Sequence, residues 1–261
     1  MGIQSFIKTH HLDLYVKDVI VLEEQVLQTK KTLLPFFADG YPGIVFLKTK
    51  KGACLFPKNK KLSDFFIYGQ TVHPIEIEIE GSYKLIIFQL YPFAVKILFG
   101  VNPKELNDEC YDLSQVSSQV NAIAKKLAAT TDSEEQKNQI AAFLSARIIE
   151  SLDHTQQKIQ LAVNLILNSQ GKITIKSLCN NLHTTERTLQ RHFLAYIGLS
   201  PKQFATIIQF QSSFNQLSDK AFTSLSEIVF DGGYADQSHF IRSFKKFTGK
   251  KPSAFKSPKE K

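Results

Sequence analysis

Between Ile44 and Leu90 the apolar positions fall in short runs rich in β-branched and aromatic residues: Ile44–Leu47, Ala53–Phe56, Phe65–Tyr68, Pro74–Glu80 and Lys84–Leu90. Gly52, Pro57, Gly69 and Gly81 separate them, and each run predicts a strand. The stretch Ile75-Glu76-Ile77-Glu78-Ile79-Glu80 alternates with period two, which sets the isoleucines on a core and the carboxylates on the opposite face. A solvated strand face accounts for this pattern; an acidic stripe that reads a ligand is the alternative. From Leu113 the period lengthens, and Leu113, Val116, Val120, Ile123 and Leu127 step by three and four, predicting a helix that begins at Leu113. Thr131-Asp132-Ser133, followed by Glu134 and Glu135, opens a second helix with an apolar face of Ile140, Phe143, Leu144 and Ile148. These two helices either pack on their own sheet or pair between two subunits.

From about Thr155 onward, short helical segments are separated by Gly171, Gly198-Leu199-Ser200-Pro201, Gly232-Gly233 and Gly249-Lys250-Lys251-Pro252. The fold class expected is α+β with two domains: a β-rich N-terminal, sensor-like domain followed by helices, and an all-α C-terminal domain. The boundaries read from the pattern are 1–112 for the β-rich domain, 113–153 for a helical connector and 154–261 for the all-α domain, with the polar stretch Ser151 to Gln157 at the joint.

The all-α part matches itself at one offset. Leu189/Phe240, Arg191/Arg242, Phe193/Phe244, Gly198/Gly249, Pro201/Pro252 and Phe204/Phe255 are all 51 residues apart, so one supersecondary unit occurs twice. Each copy runs as a short helix, a tight turn and a longer helix with an apolar i, i+4 pair on one side, which is the helix-turn-helix pattern. In the first copy Ile175, Leu178 and Cys179 supply the leading helix's apolar face and Thr185 caps the second helix. Leu189 and Phe193 then point inward, while Arg187, Gln190, Arg191 and Leu194 gather on the other side. In the second copy Ile228 and Val229 lead, Gly232-Gly233 turns, Asp236 caps, and Phe240, Phe244 and Phe247 face inward. Its outer side carries Ser238, His239, Arg242, Lys245 and Lys246. Arginine donates a fork to guanine and glutamine pairs bidentately with adenine, so such faces suit major-groove edges, with the lysines as point charges for phosphates. A merely solvated face is the competing reading for either helix alone. Between the copies Ser200-Pro201 opens a helix to about Leu217, a spacer of roughly 27 Å at about 1.5 Å per residue. Major-groove faces recur about every 34 Å, so one chain is able to present both helices to neighbouring turns of a duplex.

Charge agrees with that placement. The formal net charge is +8, and residues from Thr174 onward hold 13 Lys+Arg against 6 Asp+Glu, which is +7 of it. Cys54, Cys110 and Cys179 are far apart and lack any C-x-x-C spacing, so free and mostly buried thiols in a reducing compartment are expected, with no zinc site and no cofactor. No apolar run approaches a membrane span and Met1 to Leu14 has no secretory pattern, which predicts a soluble, cytoplasmic protein.

Three stretches carry a family resemblance: Thr185-Glu186-Arg187-Thr188-Leu189-Gln190-Arg191-His192-Phe193, then Gly198-Leu199-Ser200-Pro201, then Gly233-Tyr234-Ala235-Asp236-Gln237-Ser238-His239-Phe240-Ile241-Arg242-Ser243-Phe244-Lys245-Lys246-Phe247-Thr248-Gly249-Lys250-Lys251-Pro252. Together they resemble the AraC/XylS family of bacterial transcription regulators over about the last hundred residues. The resemblance implies a seven-helix module in which the second helix of each unit enters a major groove. At matching positions it implies Arg187, Gln190 and Arg191 as DNA-binding residues of the first reader and Gln237, Ser238, His239 and Arg242 of the second. Three residues depart from the family pattern: Val229 stands where Ala is usual, His183 where Gly is common, and Gln209 where the spacer often has Arg. His183 is expected to strain its turn, and the spacer, with Lys202 as its single charge, to add little to phosphate neutralisation. The segment Phe88 to Gly100, with Leu106-Asn107-Asp108-Glu109 and Leu113 after it, resembles the β-rich front domain of one branch of the family, a domain that binds an effector or dimerises. Tyr91, Phe93 and Phe99 there are either core or pocket lining. The partners implied are double-stranded DNA, RNA polymerase, a small-molecule effector and a second copy of the chain, with no membrane.

Two other function classes compete. A DNA-targeted enzyme of the repair type needs cysteines clustered on zinc, whereas Cys54 and Cys110 are 56 positions apart and no H-x-H, H-E-x-x-H or G-x-S-x-G spacing occurs; His10, His11 and His73 read as surface or satisfied core groups. A protein-interaction module with a basic surface would not require an arginine-bearing face duplicated at a fixed offset.

Overall fold

The computed structural model describes residues 2–25, 30–115, 120–148, 153–218 and 225–255. Val116 and residues 149–152, which include the start of the expected joint, lie outside the described residues. After helix α1 (Ile3–Thr9) come nine strands: β1 (Val16–Glu24), β2 (Lys31–Phe36), β3 (Gly43–Thr49), β4 (Ala53–Phe56), β5 (Lys60–Lys61), β6 (Phe65–Tyr68), β7 (Ile75–Glu80), β8 (Tyr83–Leu90) and β9 (Cys110–Asp112). They form a five-stranded sheet in the order β1-β8-β3-β6-β9 and a four-stranded sheet in the order β2-β7-β4-β5. Every pairing is antiparallel.

The five predicted runs coincide with β3, β4, β6, β7 and β8. The other four have physical reasons to escape pattern reading. A register shift between Val16 and Asp18 breaks the alternation of β1, Pro35 interrupts β2 where an edge strand tolerates it, and β5 and β9 have two and three residues. Strand β8 reads as a continuous apolar run because both faces of its sheet are covered. Leu85 and Ile87 join Val45, Leu47, Phe66 and the isoleucines of β7 between the sheets, whereas Ile86 and Phe88 join Ile44, Phe46, Phe65 and Ile67 under the helices. Strand β7 has one covered face: Ile75, Ile77 and Ile79 are buried and the glutamates half-exposed. Lys31 Nζ lies 2.9 Å from Glu78 Oε1 and Lys51 pairs with Glu80, so this acidic row is an ion-paired outer surface.

Helix α2 (Ala94–Phe99) follows β8; Phe93 is fully buried, and Tyr91 and Phe99 pack against the same core. Leu113–Gln115 is a 3-10 turn, and the helix expected from Leu113 begins, among the described residues, at Val120 as α3 (Val120–Ala129). Helix α4 (Ser133–Ser145) is capped by Asp132, whose side chain accepts from Glu134 N at 2.9 Å. Val120, Ile123, Leu127, Ile140, Phe143 and Leu144 are buried in the chain's own core. Turning them outward would cost about 1.5–3 kcal/mol each, so this stripe is not free for pairing between subunits.

The remaining helices are α5 (His154–Asn168), α6 (Ile175–Leu182), α7 (Glu186–Tyr196), α8 (Pro201–Ser218), α9 (Leu225–Asp231) and α10 (Gln237–Thr248). The spacer α8 sits at the centre, with Phe204, Ile207, Ile208, Phe210 and Leu217 buried. Apolar contact continues from the helix-covered sheet into this helical part as one core. The loop after β2 docks on α8: the Phe37 ring lies 5.5 Å from Phe214 and 5.7 Å from Phe255, and Gly40 sits beneath Phe204 and Ile208. In the same loop the Asp39 carboxylate accepts from Tyr41 N at 2.8 Å and Gln89 Nε2 at 2.9 Å, and burial pushes its pKa up to about 7. Asn107 Nδ2 donates to Gly198 O at 3.0 Å, closing a second contact between the sheets and the helical part.

Candidate nucleic-acid interface

In the first helix-turn-helix unit, α6 and α7, the Thr185 hydroxyl accepts from Thr188 N at 3.2 Å and fixes where α7 starts. Leu189 and Phe193 are buried beneath it, the latter with its ring 6.2 Å from Phe204 of the spacer, and Leu178 of α6 is fully enclosed. With that side committed to the core, helical geometry leaves Arg187, Gln190, Arg191 and Leu194 exposed. Together with Thr188 these four line one shallow, open hollow along α7. Arg191 Nη2 lies 3.4 Å from His192 Nε2. Partial burial, then the Arg191 and Lys158 charges, hold the His192 imidazole below the usual histidine range, so the ring is neutral beside the arginine at physiological pH.

The second unit, α9 and α10, repeats the plan. Asp236 accepts from His239 N at 2.7 Å, and Phe240, Phe244 and Phe247 are buried with Ile228 of α9. Gln237, Ser238, His239, Arg242, Lys245 and Lys246 are all exposed. Lys245 and Lys246 occupy the last turn of α10, where cations also complement the helix dipole. Every residue expected on the two reading faces is thus exposed, and the side chains expected beneath them are enclosed.

The 51-residue repeat is structural. Phe193 and Phe244 both have no exposure, Gly198 (φ 80) and Gly249 (φ 72) both terminate the longer helices in the left-handed region, and Pro201 and Pro252 both open the next helical turn. The leading helices, however, match at an offset of 50: Leu178 corresponds to Ile228, and the left-handed turn residue His183 (φ 46) corresponds to Gly233 (φ 71). The second turn is one residue longer: Thr184 N and Tyr234 N still correspond, bonding Cys179 O and Val229 O, and Ala235 is the residue added before the cap, while the Tyr234 ring lies edge-on to His239 at 5.5 Å and to Phe240 at 5.2 Å. The strain expected at His183 is present, since a side chain there occupies backbone space that favours glycine.

Two residues without a place in the sequence reading of the site bear on its geometry. Gln209, met in the sequence as a lost charge, donates its Nε2 to Gly232 O at 2.8 Å and to Gly233 O at 3.1 Å. Lys172, in the turn between α5 and α6, donates to Asp231 O at 2.9 Å. The Arg-to-Gln departure at 209 was a signal for the first; Lys172 had none. Among the described residues no group of three or more His, Cys, Asp or Glu side chains is placed to hold a metal, and Cys54, Cys110 and Cys179 are free thiols. His73 Nδ1 is 2.7 Å from Asp108 Oδ2 and His10 Nδ1 is 2.9 Å from Phe6 O, as satisfied groups. Among the described residues no helix is long and apolar enough to cross a membrane.

Residues 178–257 match a family model described as a helix-turn-helix domain, and residues 6–112 match a domain of unknown function (DUF6597). No curated protein matches the chain. Among solved structures, ToxT from Vibrio cholerae is similar at 13% identity over 92% of this chain and 98% of that one, with a TM-score of 0.50. A structure of unsaturated fatty acid bound wild-type ToxT is similar at 15% identity over 91% of this chain and 94% of that one, also with a TM-score of 0.50. The AraC-like transcriptional activator CuxR is similar at 13% identity over 76% of this chain and 78% of that one, with a TM-score of 0.28. The likeness to ToxT is one of fold, a β-rich front followed by a helical back. The helix-turn-helix match falls on the duplicated, capped and arginine-bearing units, α6–α7 and α9–α10.

Proposed function

We propose that the chain is a transcription regulator of the AraC/XylS family that binds duplex DNA sequence-specifically by seating α7 and α10 in two adjacent major grooves. Arg187, Gln190 and Arg191 read base edges in one groove, and Gln237, Ser238, His239 and Arg242 in the next, while Lys245 and Lys246 neutralise phosphates. The observation that carries this reading is the pair Arg191 and Arg242, exposed at equivalent positions of two capped helices whose opposite faces are buried. The 18-residue spacer α8, roughly 27 Å long at about 1.5 Å per residue, supports the groove-to-groove distance. In this reading residues 1–112 form a sensing or pairing domain, 113–153 a helical connector and 154–261 the DNA-binding domain. The chain works as a regulator and not as an enzyme. An apolar carboxylic acid is the effector class to test first, because a fold of this kind holds an unsaturated fatty acid in one ToxT structure.

A gel-shift series with the full chain on duplexes from its own promoter region tests the reading. Binding should weaken steeply between 50 and 200 mM salt, by the counterion release that accompanies phosphate contacts. Arg191→Ala and Arg242→Ala should each cost about 1–3 kcal/mol and relax preference at one base position. Salt-insensitive binding, or variants that bind every fragment as tightly as the unsubstituted chain, would overturn it.

A further inference from the structure

The loop between α9 and α10 is gripped from outside its own unit. Three consecutive carbonyls, of Asp231, Gly232 and Gly233, accept bonds from Lys172 Nζ, Gln209 Nε2 and again Gln209 Nε2. Lys172 precedes α6 and so belongs to the first half of the helical part, and Gln209 belongs to the spacer. Gly171 makes their convergence possible: its φ is +75, and a Cβ there would lie 2.1 Å from Ala205 O and 2.6 Å from Gln209 N. The Lys172 stem in turn lies against Gly233, where a Cβ would meet its Cγ and Cδ at 3.4 Å. Both units close the turn with the same backbone bonds: His183 N to Asn180 O and Thr184 N to Cys179 O in the first, Gly233 N to Phe230 O and Tyr234 N to Val229 O in the second. The ties from elsewhere distinguish the second, since among the described residues no side chain from outside the first unit donates to the carbonyls of Asn181, Leu182 or His183.

We infer that Gln209 and Lys172 are positioning residues that latch the second reading helix to the first half of the module, and thereby set the groove-to-groove spacing the protein accepts. The spacer alone does not determine the direction in which α10 leaves its turn, because the turn between α9 and α10 has two glycines and one residue more than its counterpart. Three side-chain bonds to successive carbonyls at that turn restrict the pivot. Gln209 and Lys172 therefore act through backbone geometry and need touch no base. The consequence for spacing rests on the two-groove reading above; the latch itself does not.

The test has two arms. In the DNA-free full chain, with Cys54→Ser and buried Cys110 and Cys179 retained, nitroxide labels at A195C and K246C report the α7-to-α10 distance by pulsed electron resonance. The latched chain should give one narrow distribution. Gln209→Glu combined with Lys172→Met, which removes the donors at nearly unchanged size, should broaden it, and Gln209→Arg should keep it narrow. In the second arm a duplex selected from random DNA by the unsubstituted chain is lengthened by one base pair between its half-sites. The preference for the selected spacing should fall about tenfold in the double variant, while affinity for a duplex with one half-site stays the same. Unbroadened distances in the double variant overturn the latch whatever DNA does. An equal loss of affinity on every duplex overturns its role in spacing. If no duplex is selected, the two-groove reading fails, and the distance arm alone decides the latch.

Discussion

The two helix-turn-helix units share a buried plan and differ in the chemistry that holds it. In the first, Phe193 has one ring neighbour among the described residues, Phe204, and the α7 cap is a threonine hydroxyl. In the second, Phe244 lies within 5.3–5.8 Å of Phe210, Phe214, Phe240 and Phe255, and the α10 cap is a carboxylate. The first turn is short and carries a strained histidine, whereas the second is longer, has glycine at the left-handed position and is tied by side chains from elsewhere. A duplicated unit can therefore keep its outward face while its two copies distribute stability differently: both close the turn with the same backbone bonds, and the second adds aromatic packing and tertiary bonds.

The largest expected effect separates the cores. Phe244→Ala should destabilise the chain by about 3–5 kcal/mol and more than Phe193→Ala, since each aromatic pair lost adds about 0.5–1.5 kcal/mol to the cavity cost. Urea unfolding of the two variants measures the order; equal losses would show that ring contacts do not distinguish the units. Next come the turns. His183→Gly should stabilise by about 1 kcal/mol by relieving the left-handed backbone, and Gly233→Ala should destabilise by a similar amount because it imposes that strain on the second unit. Melting temperatures that move in the same direction would contradict the assignment. The caps should follow: Asp236→Ala and Thr185→Ala should each cost about 0.5–2 kcal/mol, with Asp236 the larger because its charge also favours the helix N-terminus. Amide exchange confined to the first turns of α10 and α7 reports this.

The smallest effect is one of pH. His192 is held neutral in the folded chain, with its pKa depressed below the unfolded value of 6.5, so folding is penalised once the unfolded chain begins to bind that proton. Stability should therefore fall as the pH drops below 6.5 towards the folded pKa, and His192→Gln should remove that part of the decline. Unfolding titrations from pH 7.5 to 5 compare the two; an unchanged slope in the variant would place the acid sensitivity elsewhere.

Much of the candidate interface was legible in the sequence because it depends on local periodicity. The caps Thr185 and Asp236, the inward pairs Leu189/Phe193 and Phe240/Phe244, and the outward arginines all follow from 100° per residue and capping chemistry, and the structure places them so. The alternating β7 and the doubly covered β8 were legible for the same reason. The bulged β1, the proline-bearing β2 and the two-residue β5 were not, because their pairing is supplied by neighbours distant in the chain. The reach of Gln209 to Gly232 was not either: it spans 23 residues, and sequence offers no register between a spacer helix and a turn.

Helical faces, caps and the duplicated unit were settled by the amino-acid order, since each depends on groups within a few residues of one another. Tertiary structure alone decided that the α3 and α4 stripes cover the chain's own sheet, that Phe37 and Gly40 seat on the spacer, and that Lys172 and Gln209 meet at one turn. Those contacts join segments far apart in sequence, and a segment's own pattern states which face is apolar without stating what will cover it.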